Sequence, residues 1–218
     1  MSVGMVLLAA ASVLIYLGVC QRVLDKMRMN DKSAILISAG MFFGGLLPNI
    51  RLGSVEINIG GALIPAAVGL YLIVTAGSVK ESLRASIGTA LTAAAVYLLG
   101  RFMPNEPESM MVDPNYVYGL GAGLIAYILG RSRRGAFVCG ILGVLLADTA
   151  TAIMNWQAGI QQPLVLGGGG VFDVAVLSAL TAVILAELAG EIIERFKRRK
   201  EKPADKNKTH ENGEGDAE

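Results

Sequence analysis

The chain has 218 residues, 53% of them hydrophobic and 17% charged, and a formal net charge of +1. That composition is too apolar for a water-facing surface, so a soluble fold is excluded. Near-neutral charge, with no basic face outside short turns and a tail, excludes nucleic acid as the main ligand. Of 37 Lys, Arg, Asp and Glu residues, 16 fall in the last 28 positions. The chain therefore divides into an apolar helical region, 1–194, and a polar tail, 195–218.

A window of about 20 residues, the length that crosses a bilayer core, finds seven apolar stretches: 3–20, 33–49, 58–78, 85–103, 116–130, 135–154 and 171–190. The first lacks a basic leader and carries Val19 where a lipoprotein cleavage site needs a small residue, so it reads as a retained helix. Lys and Arg alternate between the connections: four in 21–32, one in 50–57, two in 79–84, Arg101, three in 131–134, none in 155–170 and eight in the tail. Seventeen then lie on one side and two on the other. Basic segments stay cytosolic. The pattern predicts an all-α, polytopic transmembrane bundle of about seven spans in the cell (plasma) membrane, with the N-terminus outside, the C-terminus inside and the lipid bilayer as its main partner.

The tail opens with the basic cluster Arg195 to Lys200, suited to anionic headgroups, and continues into polar, acidic 203–218, which is expected to be disordered. Gly40 with Gly44, and Gly119 with Gly123, have the four-residue spacing of small residues that lets helices approach closely in lipid. Cys20 and Cys139 lie in apolar runs, and the one histidine, His210, is in the tail. No metal site or cofactor is expected from such a set.

Ionisable residues inside apolar spans are costly and usually face an interior cavity. Three candidates stand out: Asp148, Asp173 and Glu187. Glu187 is near the cytosolic end of the last span and can reach the interface. Asp148 sits within the continuous apolar run 140–152, roughly two-thirds of the way across at about 1.5 Å per residue. Its alternative role is a protonated acid bonded to Thr149, Thr151 or a neighbouring helix. Asp173 follows Gly167 to Gly170, a glycine-rich approach to the last span that is tolerated at membrane depth only beside protein or a water-filled cavity. Its alternative role is an N-terminal helix carboxylate. The third span opens with Asn58-Ile59-Gly60-Gly61-Ala62-Leu63-Ile64-Pro65, which predicts a broken or kinked helix. Just before it, 50–57 alternates around Gly53-Ser54 as a short hairpin at the outer surface does, and such a hairpin can cover a cavity.

The block Asn58 to Pro65, the pair Ala147-Asp148 and the block Gly167 to Asp173 resemble the "domain of unknown function 1614" family of prokaryotic membrane proteins. The resemblance covers nearly the whole chain except the tail, and implies a membrane topology and a shared site but no reaction. The family's last block reads Gly-Gly-Ala-Gly-Thr-Phe-Asp, so this chain departs with Gly169 and Val171. The glycine-rich stretch before Asp173 is also similar to the Gly-x-Gly-Asp arrangement of presenilin-like and prepilin peptidases, with Val171-Phe172 intervening. Ile64-Pro65-Ala66-Ala67 resembles the presenilin-like Pro-Ala-Leu element, although it precedes both aspartates.

Two readings of one site remain open. In the first, Asp148 and Asp173 are the catalytic pair of an intramembrane aspartyl peptidase acting on a membrane protein or peptide. Asn58, Gly60, Gly61, Pro65, Gly168, Gly169 and Gly170 are then the substrate-binding candidates. In the second, the same residues serve a proton-coupled carrier of a small solute, for which a homo-oligomer would supply the missing second half. A non-catalytic scaffold is the remaining alternative.

Overall fold

A computed structural model describes residues 31–102, 114–170 and 173–201. The expected first span, Cys20 and the tail beyond Glu201 lie outside the described residues. The architecture is mostly helical, in chain order α1 (Asp31–Gly45), β1 (Ile50–Leu52), β2 (Val55–Ile57), a π-helical turn (Ile59–Leu63), α2 (Ile64–Val74), α3 (Val79–Phe102), α4 (Pro114–Gly130), α5 (Arg133–Gln157), β3 (Leu164–Leu166) and α6 (Val174–Glu201). Three helices, α3, α5 and Val174–Lys197 of α6, are long and apolar enough to cross a membrane, while Ile59–Val74 and Asn115–Gly130 are shorter apolar helices. At about 1.5 Å per residue, even 24 residues exceed the hydrocarbon thickness of about 30 Å.

Exposed side chains on α6 repeat every four residues: Leu180, Ile184, Leu188 and Ile192. Leu83, Ile87 and Leu91 do the same on α3. Such stripes suit lipid and not water. α6 also runs straight through the basic cluster that opens the tail, to Glu201.

α5 is the central helix, packed by α3, α4 and α6 and, at its N-terminal half, by α2. Ile141, Val138 and Val144 are fully buried along it. In lipid, apolar burial does not draw helices together, and close backbone approach and dispersion do. The small residues fit that role. A methyl on Gly140 would lie 2.6 Å from Ala179 Cα on α6, and one on Gly123 of α4 would lie 2.6 Å from Thr181 Cβ. Gly44 faces the main chain of Gly60 in the same manner.

The all-α expectation needs one amendment, a three-stranded sheet at one end of the bundle. β1 and β2 form the expected antiparallel hairpin, with Ile50 opposite Ile57 and Leu52 opposite Val55. Gly53, at φ +64°, makes the tight turn. β3 then pairs with β2 in parallel, Glu56 opposite Val165. This pairing ties the connection between α5 and α6 to the start of α2.

Asn58 is the hub beneath that sheet, only 3% exposed. Its side-chain oxygen accepts the N–H groups of Gly60 (3.0 Å) and Gly61 (2.8 Å), and its amide donates to Asn49 Oδ1 (3.0 Å) and Leu47 O (3.5 Å). The π-helical turn follows, and Pro65 begins the regular helix where its missing N–H costs nothing. Replacing Asn58 by alanine strands two buried donors, so we expect a loss of about 2 kcal/mol or more of stability. Thermal unfolding in detergent micelles measures it; an unchanged midpoint would contradict the hub.

Candidate functional site

Arg133 at the start of α5 pairs with Glu187 of α6, both side chains largely buried. Glu187 is thereby a structural ion-pair partner. Further along, Gly140 meets Ala179, so the two helices run antiparallel. Following that register, Asp148 is eight residues beyond Gly140 and Asp173 six residues before Ala179. The difference of two residues is about 3 Å of rise. The two aspartates are therefore at nearly one level on neighbouring elements.

Both line a cavity of about 710 Å³. Its walls come from four helices and the sheet: Tyr97 and Arg101 of α3, Asn115 and Tyr118 of α4, Thr151 and Asn155 of α5 and Val174 of α6, with Val165 of β3. Asp148 is half-buried on α5. The hydroxyls of Thr149 and Thr151 donate instead to Leu145 O (2.7 Å) and Ala147 O (2.8 Å) of their own helix.

Asp173 is held differently. Its Oδ1 accepts the Ala175 N–H (3.0 Å) and its Oδ2 the Gly169 N–H (3.3 Å), so it caps α6 while facing the cavity. It is an N-terminal helix carboxylate that also lines the cavity. The glycine run makes the cap possible. Gly167 and Gly170 both have left-handed φ, +70° and +61°, and the Gly170 N–H closes the turn on Gly167 O at 2.8 Å.

The other candidates are placed beside the cavity and do not line it. Gly60 abuts the main chain at Met41 and Gly45, and Gly61 abuts the carbonyls of Gly167 and Gly170. A side chain at either would collide with backbone. Asn58 and Pro65 are buried in the same joint. Gly168 and Gly169 are exposed, Gly170 is buried, and of the three only Gly169 bonds an aspartate. These residues hold the frame of the site. Tyr97, Tyr118, Asn115 and Arg101 were not among the sequence candidates. Tyr118 donates its hydroxyl to Val96 O at 2.7 Å, fixing α4 against α3 at the cavity wall.

A family model described as "Protein of unknown function (DUF1614)" matches residues 11–185. The chain belongs to that family. The matched region includes every residue of the cavity wall and both aspartates, and stops short of the basic cluster at 195–200. No curated protein and no solved structure matches the chain. Among the described residues, no cluster of three His, Cys, Asp or Glu side chains could hold a metal ion.

Cysteines in place of Asp148 and Asp173, with Cys20 and Cys139 replaced, should be joined within one chain by a short bifunctional methanethiosulfonate. Electrophoresis after proteolysis between the two positions reads the result. Cross-linking that requires a long reagent would contradict the shared cavity.

Proposed function

We propose that this protein is an intramembrane aspartyl peptidase of the plasma membrane, with Asp148 and Asp173 as its catalytic pair. The observation that carries the reading is the cavity shared by the two acids, set level by the antiparallel register of α5 and α6. Its volume of about 710 Å³ accommodates several peptide residues together with water.

The orientation follows the charges. Arg131, Arg133 and Arg134 lead into α5, and Arg195 and Lys197 lie towards the end of α6, so basic residues gather at one end of the bundle. The cavity and sheet occupy the other. With basic residues cytosolic, the site opens toward the outer half of the membrane and the C-terminus is inside, as in the seven-span reading of the sequence.

Catalysis follows from the unequal surroundings of the acids. In this mechanism the two acids share one proton, placed on Asp148 because both oxygens of Asp173 already accept an N–H group. Asp173 takes a proton from a water as its oxygen bonds to the scissile carbonyl carbon, while Asp148 gives its proton to the carbonyl oxygen. The resulting diol collapses. The C–N bond breaks, the amide nitrogen receives the proton held by Asp173, the second diol proton returns to Asp148, and one water is consumed for each carboxyl and amine released. Tyr118, anchored on Val96 O, walls the cavity and limits where the peptide can lie.

The carrier reading takes backbone dipoles for a solute from the broken helix and from the glycine run. Gly60 and Gly61 spend their N–H groups on Asn58, Gly169 its own on Asp173 and Gly170 its own on Gly167 O, which favours the peptidase.

Asp148→Asn and Asp173→Asn should each lower cleavage of membrane-protein substrates by about 10²-fold or more without changing protein abundance. Immunoblotting of cleavage products from a set of single-span reporter proteins in proteoliposomes tests this. Cleavage at the normal rate in either variant would refute the assignment.

A further inference from the structure

Among the described residues, the sheet beside the cavity ends on an open edge. Its order is β1-β2-β3, so β3 has a neighbour on one side. The Leu164 N–H donates to Ser54 O at 2.9 Å, and the Asn58 N–H donates to Leu166 O at 2.9 Å. Main-chain groups alternate between the two sides of a strand. Leu164 and Leu166 therefore face β2, and the N–H and C=O of Val165 face the open side. Val165 is also the β3 residue that lines the cavity with Asp148 and Asp173.

The edge is held in place. Trp156 Nε1–H donates to Gln162 O (2.8 Å) and the Ile160 N–H to Asn155 O (2.9 Å), fastening the segment before β3 to the end of α5. Leu164 is buried, which anchors the strand from its inner face. Exposed edges are ordinarily blunted by charge or proline. Leu164-Val165-Leu166 itself has neither, and the neighbouring proline, Pro163, stands just before the strand.

We propose that a polypeptide substrate docks by adding an extended strand to the open edge of β3, with the main chain of Val165 bonding to it and its scissile carbonyl turned to the two aspartates. The inference rests on the peptidase reading and names how the substrate is recognised. The occupant is an extended peptide segment because what the edge offers is one N–H and one C=O, the complement of another strand. A helical substrate has those groups closed within itself, and its carbonyls are shielded from water. Unwinding a turn frees them, and the edge of β3 gives the freed groups new partners beside the acids. Main-chain bonding makes the selection tolerant of side chains and sensitive to whether the segment can be unwound.

The test uses the full-length protein in detergent micelles and a fluorescent octapeptide of apolar residues with a central statine, whose hydroxyl stands in for the tetrahedral intermediate. Anisotropy reads binding. Val165→Pro removes the outward N–H without touching the bonds to β2, a position where an edge strand tolerates proline. Its affinity should fall by about tenfold. N-methylation of the probe at successive amides should weaken binding at one amide, the one whose N–H meets Val165 O. Val165→Pro binding as the wild type does, or an N-methyl scan without one such sensitive amide, overturns strand addition and leaves the peptidase reading intact. If Val165→Pro does not fold, the N-methyl scan on the wild type decides. A probe that fails to bind the wild type, or binds equally to Asp148→Ala, brings down the peptidase reading and this inference together.

Discussion

The backbone contact between α5 and α6 sets the level of everything around the cavity. Gly140 has no side chain, so Ala179 comes against it directly, and the ion pair of Arg133 with Glu187 prevents either helix from sliding. In a bilayer a sliding helix exchanges one lipid contact for another at little cost, so a fixed register needs a device of this kind. The consequence is that a residue deep in α5 and a residue at the start of α6 meet at one height. A bulkier residue at position 140 would part the helices and separate the acids together.

A second layer of restraint acts from the end of the bundle. β3 joins β2, Asn58 organises the π-helical turn, and Gly61 packs on the carbonyls of the glycine run that leads to Asp173. The chain segments before α2 and before α6 thus form one joint. Its glycines serve backbone contact, which explains why a motif rich in apparent binding residues stands behind the cavity wall. Asp173 takes one of its two N–H bonds, that of Gly169, from the same joint, so the geometry of one acid depends on residues more than a hundred positions earlier.

Much of this was legible in the sequence where a single helix or short segment carried the signal. The apolar runs located α1 to α6 because each helix is a run of apolar residues bounded by turns, and the disagreements in length come from polar ends such as Arg133 and Arg134 or Asn155 to Gln157. Asn58 to Pro65 announced an irregular helix, since Gly60-Gly61 and Pro65 each weaken a regular ladder. β3 was not legible. Three apolar residues have no measurable period, and its partner is a parallel strand over one hundred residues away. Tyr97 and Tyr118 escaped notice because tyrosines near span ends have an ordinary place at the interface. Placing them at the cavity needs the rotation of each helix about its axis, which the weakly amphipathic runs of α3 and α4 do not encode. Asp148 and Asp173 stood out for the opposite reason, a charge where apolar residues surround it.

The most direct measurement is a high-resolution electron cryo-microscopy structure of the full-length protein in lipid nanodiscs, with the side chains of α5 and α6 resolved. The account predicts the carboxyl groups of Asp148 and Asp173 facing each other within reach of one bridging water, in the outer half of the membrane. Carboxyls turned to opposite faces, or one of them directed into lipid headgroups or bulk solvent, would contradict it.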